Sequence, residues 1–303
     1  MSVISAGDFA KDLEPLTGSW VDQGAARYGE EYAKIFKVVR KDQAYFEDQM
    51  YSTLGMLQRK SEGDAVRYDK MSQRWGKRYS PTAYALGINI THEAIADGTA
   101  LDKAQMALTE LGRASAELAN TLAHDYLNLA FGTTNVGGDG KELCATDHPT
   151  DDGTTSNELA TPAALSEASL RQMFIEMADM TDLRGNRILV KPRKLIVPRD
   201  LMFDADVILK SEYKPGSMNN DVNSIVSTGL IPDGHMVSDW LSSATAYFVK
   251  TDNDMNGLTF FDREPLRVFN DKDVDTLNAK IVVYRRFDCG WTNYNCIFGS
   301  AGA

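Results

Sequence analysis

The stretch Asp139–Pro149 reads DGKELCATDHP and places a cysteine, two aspartates, a glutamate and a histidine within one short segment. Cys144, Asp147 and His148 are of metal-ligating types, but three ligands in a single loop lack the scaffold that usually completes a coordination shell. A glycine-led turn, a short strand over KELCA and a histidine kept extended by the proline after it explain the same letters without chemistry. The residues alone leave both interpretations open.

The composition excludes several classes of protein. The 303-residue chain is 43% hydrophobic and 25% charged, which is ordinary for a globular protein. It contains no run of about 20 apolar residues and does not begin like a secretory signal, so we expect no membrane span and synthesis in the cytosol. Cys144, Cys289 and Cys296 match no zinc-ligand spacing and are expected to be reduced thiols. A formal net charge of -11 argues against a protein that grips nucleic acid.

Two incomplete motifs define alternative functions. The sequence HEAIA at His92 begins like a zinc-binding helix, but Ala96 stands where the second histidine is needed. The sequence DNDMNGLTFFDRE begins like a calcium loop, but its twelfth position is Arg263 rather than an acid. A metal-dependent hydrolase and a calcium-binding β-module therefore stay open as alternatives. Their candidate ligands are His92, His148, Asp252, Asp254 and Asn256. No nucleophile motif is present, so we predict no catalytic residue and no cofactor.

The patterning along the chain predicts a mixed α+β class. The first 34 residues are expected to form an extended or partly helical arm that needs a partner surface. Strand-like alternation with a turn near Gly63 follows, and apolar residues at spacings of three or four predict a long helix over Thr99–Phe131. A second helix near 166–182, a buried strand followed by an amphipathic helix, and closing strands complete the order.

A basic segment interrupts this acidic chain. Residues 59–78 contain seven basic and three acidic side chains, a local net charge of +4. We predict a basic projection that attracts an acidic surface of another copy, although a solvated polar hairpin would have the same composition. The residues predicted at this interface are Arg59, Lys60, Arg67, Lys70, Arg74, Lys77 and Arg78 in the projection and Asp8, Asp12 and Glu14 in the arm.

Three blocks carry a resemblance to a known family. They are the segment Asp139–Pro149 with Ser156-Asn157 after it, the segment KLIVPRDLMFDADVILKSE, and the segment AYFVKTDNDMNGLTFFDREP. In this order and spacing they resemble the major head proteins of tailed bacteriophages, especially the Mu-like major head subunit, over about Tyr28 to Val268. The resemblance favours the structural interpretation of the loop, and its defining residues are then Asp139, Gly140, His148 and Pro149.

The resemblance implies the Hong-Kong-97-type capsid fold, which is an α+β architecture. The expected parts are an N-terminal arm (1–35), an extended β-hairpin loop (36–88), a peripheral domain (89–160) with a spine helix (99–131), an axial domain (161–265) and return strands of the peripheral domain (266–303).

It also implies a function, that of a major capsid protein of a tailed double-stranded DNA phage. Such a protein is not an enzyme and self-assembles into pentamers and hexamers that form the icosahedral head. The implied partners are copies of itself, a portal protein, a separate scaffolding protein, a decoration or cement protein, and packaged double-stranded DNA as a non-specific neighbour. The implied location is the virion, after assembly in the host bacterial cytoplasm.

Overall fold

The computed structural model describes residues 6–96, 100–151, 153–213 and 221–303, with side chains described from Leu16 onward except at positions 95–101. The helices are α1 (Ala6–Tyr28), α2 (His92–Ala96), α3 (Ala100–Asn128), α4 (Glu167–Ala178), α5 (Met202–Lys210) and α6 (Ser224–Thr228). The strands are β1 (Lys37–Arg40), β2 (Phe46–Tyr51), β3 (Gln73–Tyr79), β4 (Thr82–Ile90), β5 (His148–Pro149), β6 (Thr154–Thr155), β7 (Pro192–Pro198), β8 (His235–Ser238), β9 (Tyr247–Thr251), β10 (Thr259–Lys272), β11 (Ala279–Gly290) and β12 (Ile297–Ser300). The expected α+β class is confirmed.

The chain divides into two units, each with its own four-stranded sheet. Unit 1 comprises Met1–Phe46, Tyr79–Ala123 and Phe260–Cys289, and unit 2 comprises Glu47–Arg78, His124–Thr259 and Gly290–Ala303. The predicted division into arm, hairpin, peripheral and axial domains stays a prediction.

Unit 1 places two helices on one sheet. Its strand order is β1-β10-β11-β4, and β11 runs antiparallel to β4. The buried core joins Val21 of α1 and Leu108 and Leu111 of α3 to Ile281 and Val283 of β11. Burial of these apolar side chains is the main force that holds the helices to the sheet.

The N-terminal segment is more regular than the sequence predicts. An extended or partly helical arm was expected, but α1 is a 23-residue helix that packs on α3. The two helices approach very closely, since a Cβ atom at Gly24 would lie 1.9 Å from the carbonyl oxygen of Thr109. A Cβ atom at Gly112 would lie 2.0 Å from the carbonyl oxygen of Val21. Glycine is therefore required on both sides of the crossing.

Unit 2 builds its sheet in the order β12-β9-β7-β8, with β7 parallel to β8 and antiparallel to β9. Helix α4 is preceded by the N-cap residue Ser166, whose Oγ accepts a hydrogen bond from the N–H of Ser169. The amphipathic helix predicted after the buried strand is α5, which buries Ala205 and Ile208. The core of this unit contains Leu170, Met173, Met177, Leu195, Val197, Tyr247, Val249 and Phe298.

The long helix is confirmed, with shifted ends. Helix α3 has 29 residues and is about 44 Å long at 1.5 Å per residue. The predicted cap Thr99 lies outside the described residues. The helix ends at Asn128 rather than at Phe131, because the next residues have other partners. The side chain of Asn128 bonds to Trp240 and Ser242, and the carbonyl of Ala130 accepts the N–H of Cys144.

The strands between residues 36 and 90 do not all pair with one another. Only β2 and β3 form a hairpin, whereas β1 pairs within the sheet of unit 1 next to β10, and β4 pairs with β11. The predicted turn at Gly63 is present. His235 starts β8, where it lies opposite Leu195. None of the described helices combines the length and the hydropathy that crossing a membrane requires.

Candidate functional site

A long irregular loop joins β2 to β3. Residues 52–72, termed the 52–72 loop below, form no helix or strand. Its two ends are held together because the N–H of Ser52 donates to the carbonyl of Ser72 at 2.8 Å and the N–H of Ser72 donates to Oγ of Ser52 at 2.9 Å. Ser52 is buried, so these bonds are protected from water. The loop therefore leaves the hairpin from a fixed base.

Arg184 ties the 52–72 loop to the turn after α4, which belongs to the same unit. Its Nη1 lies 2.5 Å from Oδ2 of Asp69, and its Nη2 donates to the carbonyl of Lys70 at 2.8 Å. The same carboxylate oxygen accepts the N–H of Gly55 from the opposite side of the loop at 2.8 Å. The Arg184 guanidinium and the backbone N–H groups of Gly55 and Lys70, which both donate to the Asp69 carboxylate, hold the pKa of Asp69 far below its usual range. Arg184, Asp69 and Gly55 are termed the Arg184 clamp.

Asp182 provides a second anchor in the same turn. One of its carboxylate oxygens accepts the N–H groups of Arg184 and Asn186, both at 2.8 Å. The other accepts the hydroxyl of Thr53 and the side-chain amide of Asn186. Burial raises the pKa of Asp182, but the hydrogen bonds from Thr53 and Asn186 outweigh burial and leave the pKa below its ordinary value. The turn after α4 thus binds the loop at two places.

The loop exposes large apolar side chains. Leu57 is fully exposed and Tyr68 is 90% exposed. Single apolar residues on a surface are ordinary, but several within one loop mark an interaction site. The large apolar residues of the loop that are more than half exposed are Leu54, Met56, Leu57, Val66, Tyr68 and Met71.

The predicted basic residues separate into two groups. Three have partners within unit 2, since Arg74 pairs with Asp151, Arg78 lies 3.9 Å from Glu47, and the ammonium of Lys77 lies 5.0 Å from the ring centre of Tyr126. The other four have no ion pair among the described residues, and they are Arg59, Lys60, Arg67 and Lys70.

The predicted acidic partners cannot be placed as side chains. Asp8, Asp12 and Glu14 belong to α1, but their side chains lie outside the described part of the chain. Their role at an interface stays a prediction.

The segment Asp139–Pro149 contributes to a buried polar network around His148. Nδ1 of His148 lies 2.7 Å from Oδ2 of Asp139, and Nε2 lies 2.9 Å from Oδ1 of Asn157. The imidazole stacks on the ring of Tyr294 at a centroid distance of 3.9 Å. Burial raises the pKa of Tyr294 well above its usual range, which is consistent with a water-free setting. No nucleophile belongs to the described network.

The strand predicted over KELCA is wrong. These residues are irregular, and only His148 and Pro149 enter a short strand, which pairs with Thr154–Thr155. Asn157 replaces a partner strand, because its amide donates to the carbonyls of Leu143 and Tyr294 and its oxygen accepts the N–H of Ala145.

The alternative metal sites do not assemble. Among the described residues, no three His, Cys, Asp or Glu side chains come close enough to hold one metal ion. In the calcium-like segment, Asp252 accepts the N–H of Lys191 and Asp254 pairs with Lys250, so both carboxylates have partners within the protein. Nothing in the structure supports the hydrolase or the calcium module.

The sequence profile of the family described as phage capsid protein matches residues 76–298 of the chain. The chain belongs to this family. The matched region of the capsid protein contains β4, β10 and β11 of the unit 1 sheet, nearly all of the unit 2 sheet and the His148 network, whereas β1 precedes it. It begins after the 52–72 loop, so the role of that loop has to be argued from its own structure. No curated protein sequence matches the chain.

Solved structures show the same fold. The capsid protein is similar to the mature capsid of bacteriophage PhiM1, with a TM-score of 0.56 and 14% identity over 90% of this chain and 87% of that chain. It is similar to a virus-like particle from Pyrococcus furiosus, with a TM-score of 0.55 and 10% identity over 93% and 96% of the two chains. A capsid of bacteriophage JBD30 decorated with minor capsid protein trimers gives a TM-score of 0.54 and 14% identity over 71% and 91%.

These likenesses confirm the expected capsid fold, and the family match confirms the expected function of a major capsid protein that forms the shell of a phage head. The protein is thus a structural component of the virion. The Mu-like type is not separated from other capsid proteins by these findings and stays a prediction.

Proposed function

We propose that copies of this chain close into pentamers and hexamers of a tailed-phage head, and that the 52–72 loop of each copy contacts the next copy. The observation that carries the proposal is the loop itself, which is anchored at its base yet exposes apolar and basic side chains that nothing described in the chain covers. Repeated contact between different surfaces of identical chains generates closed rings.

The charged and the apolar side chains of the loop contribute to this contact in different ways. Arg59, Lys60 and Arg67 carry positive charge into the tip of the loop, while the chain as a whole has a net charge of -11. The charges direct the loop to an acidic surface of a neighbour, and the apolar side chains supply most of the affinity once water is excluded.

The other partners follow from the same role. We propose a portal protein at one vertex, a separate scaffolding protein during assembly in the host bacterial cytoplasm, and a decoration protein on the finished shell. The decorated JBD30 capsid supports the last of these, since a structural relative has such a partner. Packaged DNA is a non-specific neighbour that the acidic protein repels.

The test is electron microscopy with sedimentation, on the chain expressed alone and with a candidate scaffolding protein. We expect shells, or ring-shaped capsomers that become shells with the partner. A triple variant with Arg59→Glu, Lys60→Glu and Arg67→Glu is expected to give at least tenfold fewer shells. The matched control reverses three exposed cations outside the loop, Arg187, Lys191 and Lys210, and should assemble like the wild type.

Two results would contradict the proposal. A wild-type chain that stays a monomer or a small dimer under both conditions argues against assembly into capsomers. Normal shell yield from the triple variant, with a reduced yield from the control, assigns the contact to the body rather than to the loop.

A further inference from the structure

We propose that Arg184 is a positioning residue, which holds the 52–72 loop in the conformation that docks on a neighbouring copy of the chain. The inference rests on the proposed function of the loop, and it assigns a role to a residue outside the loop and outside the predicted interface.

The loop has no core that could fix its shape. It surrounds an open space of about 760 Å³, and Arg184 and Asn186 line that space from the body of unit 2. Leu57 and Tyr68 point into solvent rather than against each other. With neither regular structure nor buried apolar contacts at the tip, the conformation of the loop depends on the polar bonds at its base.

The Arg184 clamp joins the two sides of the loop at one point. Asp69 on the returning side accepts both the guanidinium of Arg184 and the N–H of Gly55 on the outgoing side. The second guanidinium nitrogen reaches the carbonyl of Lys70. A planar guanidinium can serve both acceptors at once, whereas a lysine ammonium at this position supplies only a point charge.

The backbone of Arg184 is itself held in place by Asp182. Its N–H and that of Asn186 donate to the carboxylate of Asp182, which also accepts the hydroxyl of Thr53 from the loop. The turn and the loop base therefore form one hydrogen-bonded assembly. Fixing a binding loop before it meets its partner lowers the ordering cost of association, which makes binding faster and tighter.

The experiment compares full-length Arg184→Ala with wild type in two measurements. Hydrogen exchange followed by mass spectrometry reports the opening of the loop base, in peptides that contain Gly55. Light scattering reports the rate of shell assembly, under whichever condition allows the wild type to assemble. We expect about fivefold faster exchange at Gly55 and a similar loss of assembly rate, with an unchanged melting temperature because the ion pair is at the surface.

Conservative and control variants separate positioning from general stability. Arg184→Lys keeps a charge beside Asp69 but loses one of the two bonds, so it should restore part of both measurements. Arg187→Ala removes an exposed arginine of the same turn, which pairs with Asp179, and should leave both measurements at wild-type values.

The outcomes distinguish this inference from the proposed function. Wild-type exchange in Arg184→Ala, or faster exchange with wild-type assembly, overturns the positioning role even when the triple loop variant fails to assemble. Normal assembly of the triple loop variant overturns the function of the loop, and with it the role of Arg184 in docking.

Discussion

At the scale of single residues, polar side chains bind the backbone groups of irregular segments, which have no helix or sheet partners. Asn157 is fully buried, and its side chain makes hydrogen bonds to backbone groups of two separate segments, 143–145 and 294–297, and to His148. Asp182 does the same for the turn that binds the 52–72 loop. Removal of either side chain leaves several hydrogen-bonding groups without that partner.

Replacement of His148 tests the first network. His148→Ala removes one hydrogen-bond partner each from the buried carboxylate of Asp139 and from the oxygen of Asn157, and it removes a buried ring, so we expect the free energy of unfolding to fall by about 2–4 kcal/mol. Urea unfolding measures the change. His92→Ala, at the start of the short helix α2, should stay within about 0.5 kcal/mol of wild type. Equal stability of the two variants would contradict the structural role of the loop.

The pH dependence of stability tests Asp182. Its pKa in the folded protein lies below the ordinary value of 3.8, so its stabilising effect is complete above that pH and is lost as the pH falls through the folded pKa. Asp182→Asn should be less stable at neutral pH by about 1–2 kcal/mol and should lose less stability than wild type below about pH 4. Urea unfolding at several pH values decides this. Parallel acid profiles for the two proteins would show that Asp182 is not the titrating group.

At the scale of elements, the crossing of α1 and α3 is the feature least visible in the sequence. Glycines inside a helix normally weaken it, and they make the N-terminal segment look like a loose arm. In the structure, Gly24 and Gly112 allow the two backbones to touch, and Val21 then reaches the core of unit 1. The residues that lower helix propensity are the ones that make the packing possible.

Two alanine substitutions in α1 separate these effects. Gly24→Ala brings a methyl group against the carbonyl of Thr109 and should lower the free energy of unfolding by about 1–3 kcal/mol. Gly18→Ala meets no atom within 4 Å and should raise it by about 0.5–1 kcal/mol through helix propensity. Thermal unfolding of the two variants, beside the wild type, gives the comparison. Similar shifts would mean that α1 does not pack closely on α3.

Sequence reasoning succeeds where periodicity is local. The apolar spacing of α3 and α5 and the turn at Gly63 follow from neighbouring residues, and the structure confirms them. Sequence reasoning fails where contacts with a residue distant in the chain determine the conformation of a segment. The KELCA segment was predicted as a short strand, but the side chain of Asn157, twelve or more residues later, takes the place of a partner strand.

The candidate site is only partly predictable for the same reason. Counting charges along the sequence identifies the basic segment 59–78. It does not show which of the cations have partners, and Arg74 is paired with Asp151. Arg184 was not predicted, because the residues that it binds lie more than a hundred positions earlier in the chain. The apolar letters of the loop, such as Leu57 and Tyr68 among charges, are the signal that could have indicated a contact surface.

At the scale of the whole molecule, charge separates segment 59–78, which comprises the later part of the 52–72 loop and most of β3, from the rest of the chain. The segment 59–78 is positive, while the complete chain is strongly negative. Such a distribution favours contact between copies and disfavours tight contact with phosphate backbones.

We therefore expect that isolated capsomers do not bind duplex DNA. Fluorescence anisotropy with a labelled duplex should show no binding at about 150 mM salt and protein concentrations up to about 10 µM. The triple variant at Arg59, Lys60 and Arg67 should behave identically at this salt. Submicromolar binding by the wild type that is lost in the triple variant would instead assign the loop to nucleic acid.

The three cysteines of the chain bear on what happens to a virion after release. Cys144, Cys289 and Cys296 are all buried, and burial raises the pKa of the Cys144 thiol and raises that of Cys296 to about 12. A thiol that is neither ionised nor accessible reacts slowly with oxidants. A particle that leaves a reducing cell for aerated water would therefore keep these thiols reduced, and its durability outside the host would owe nothing to new disulfide bonds.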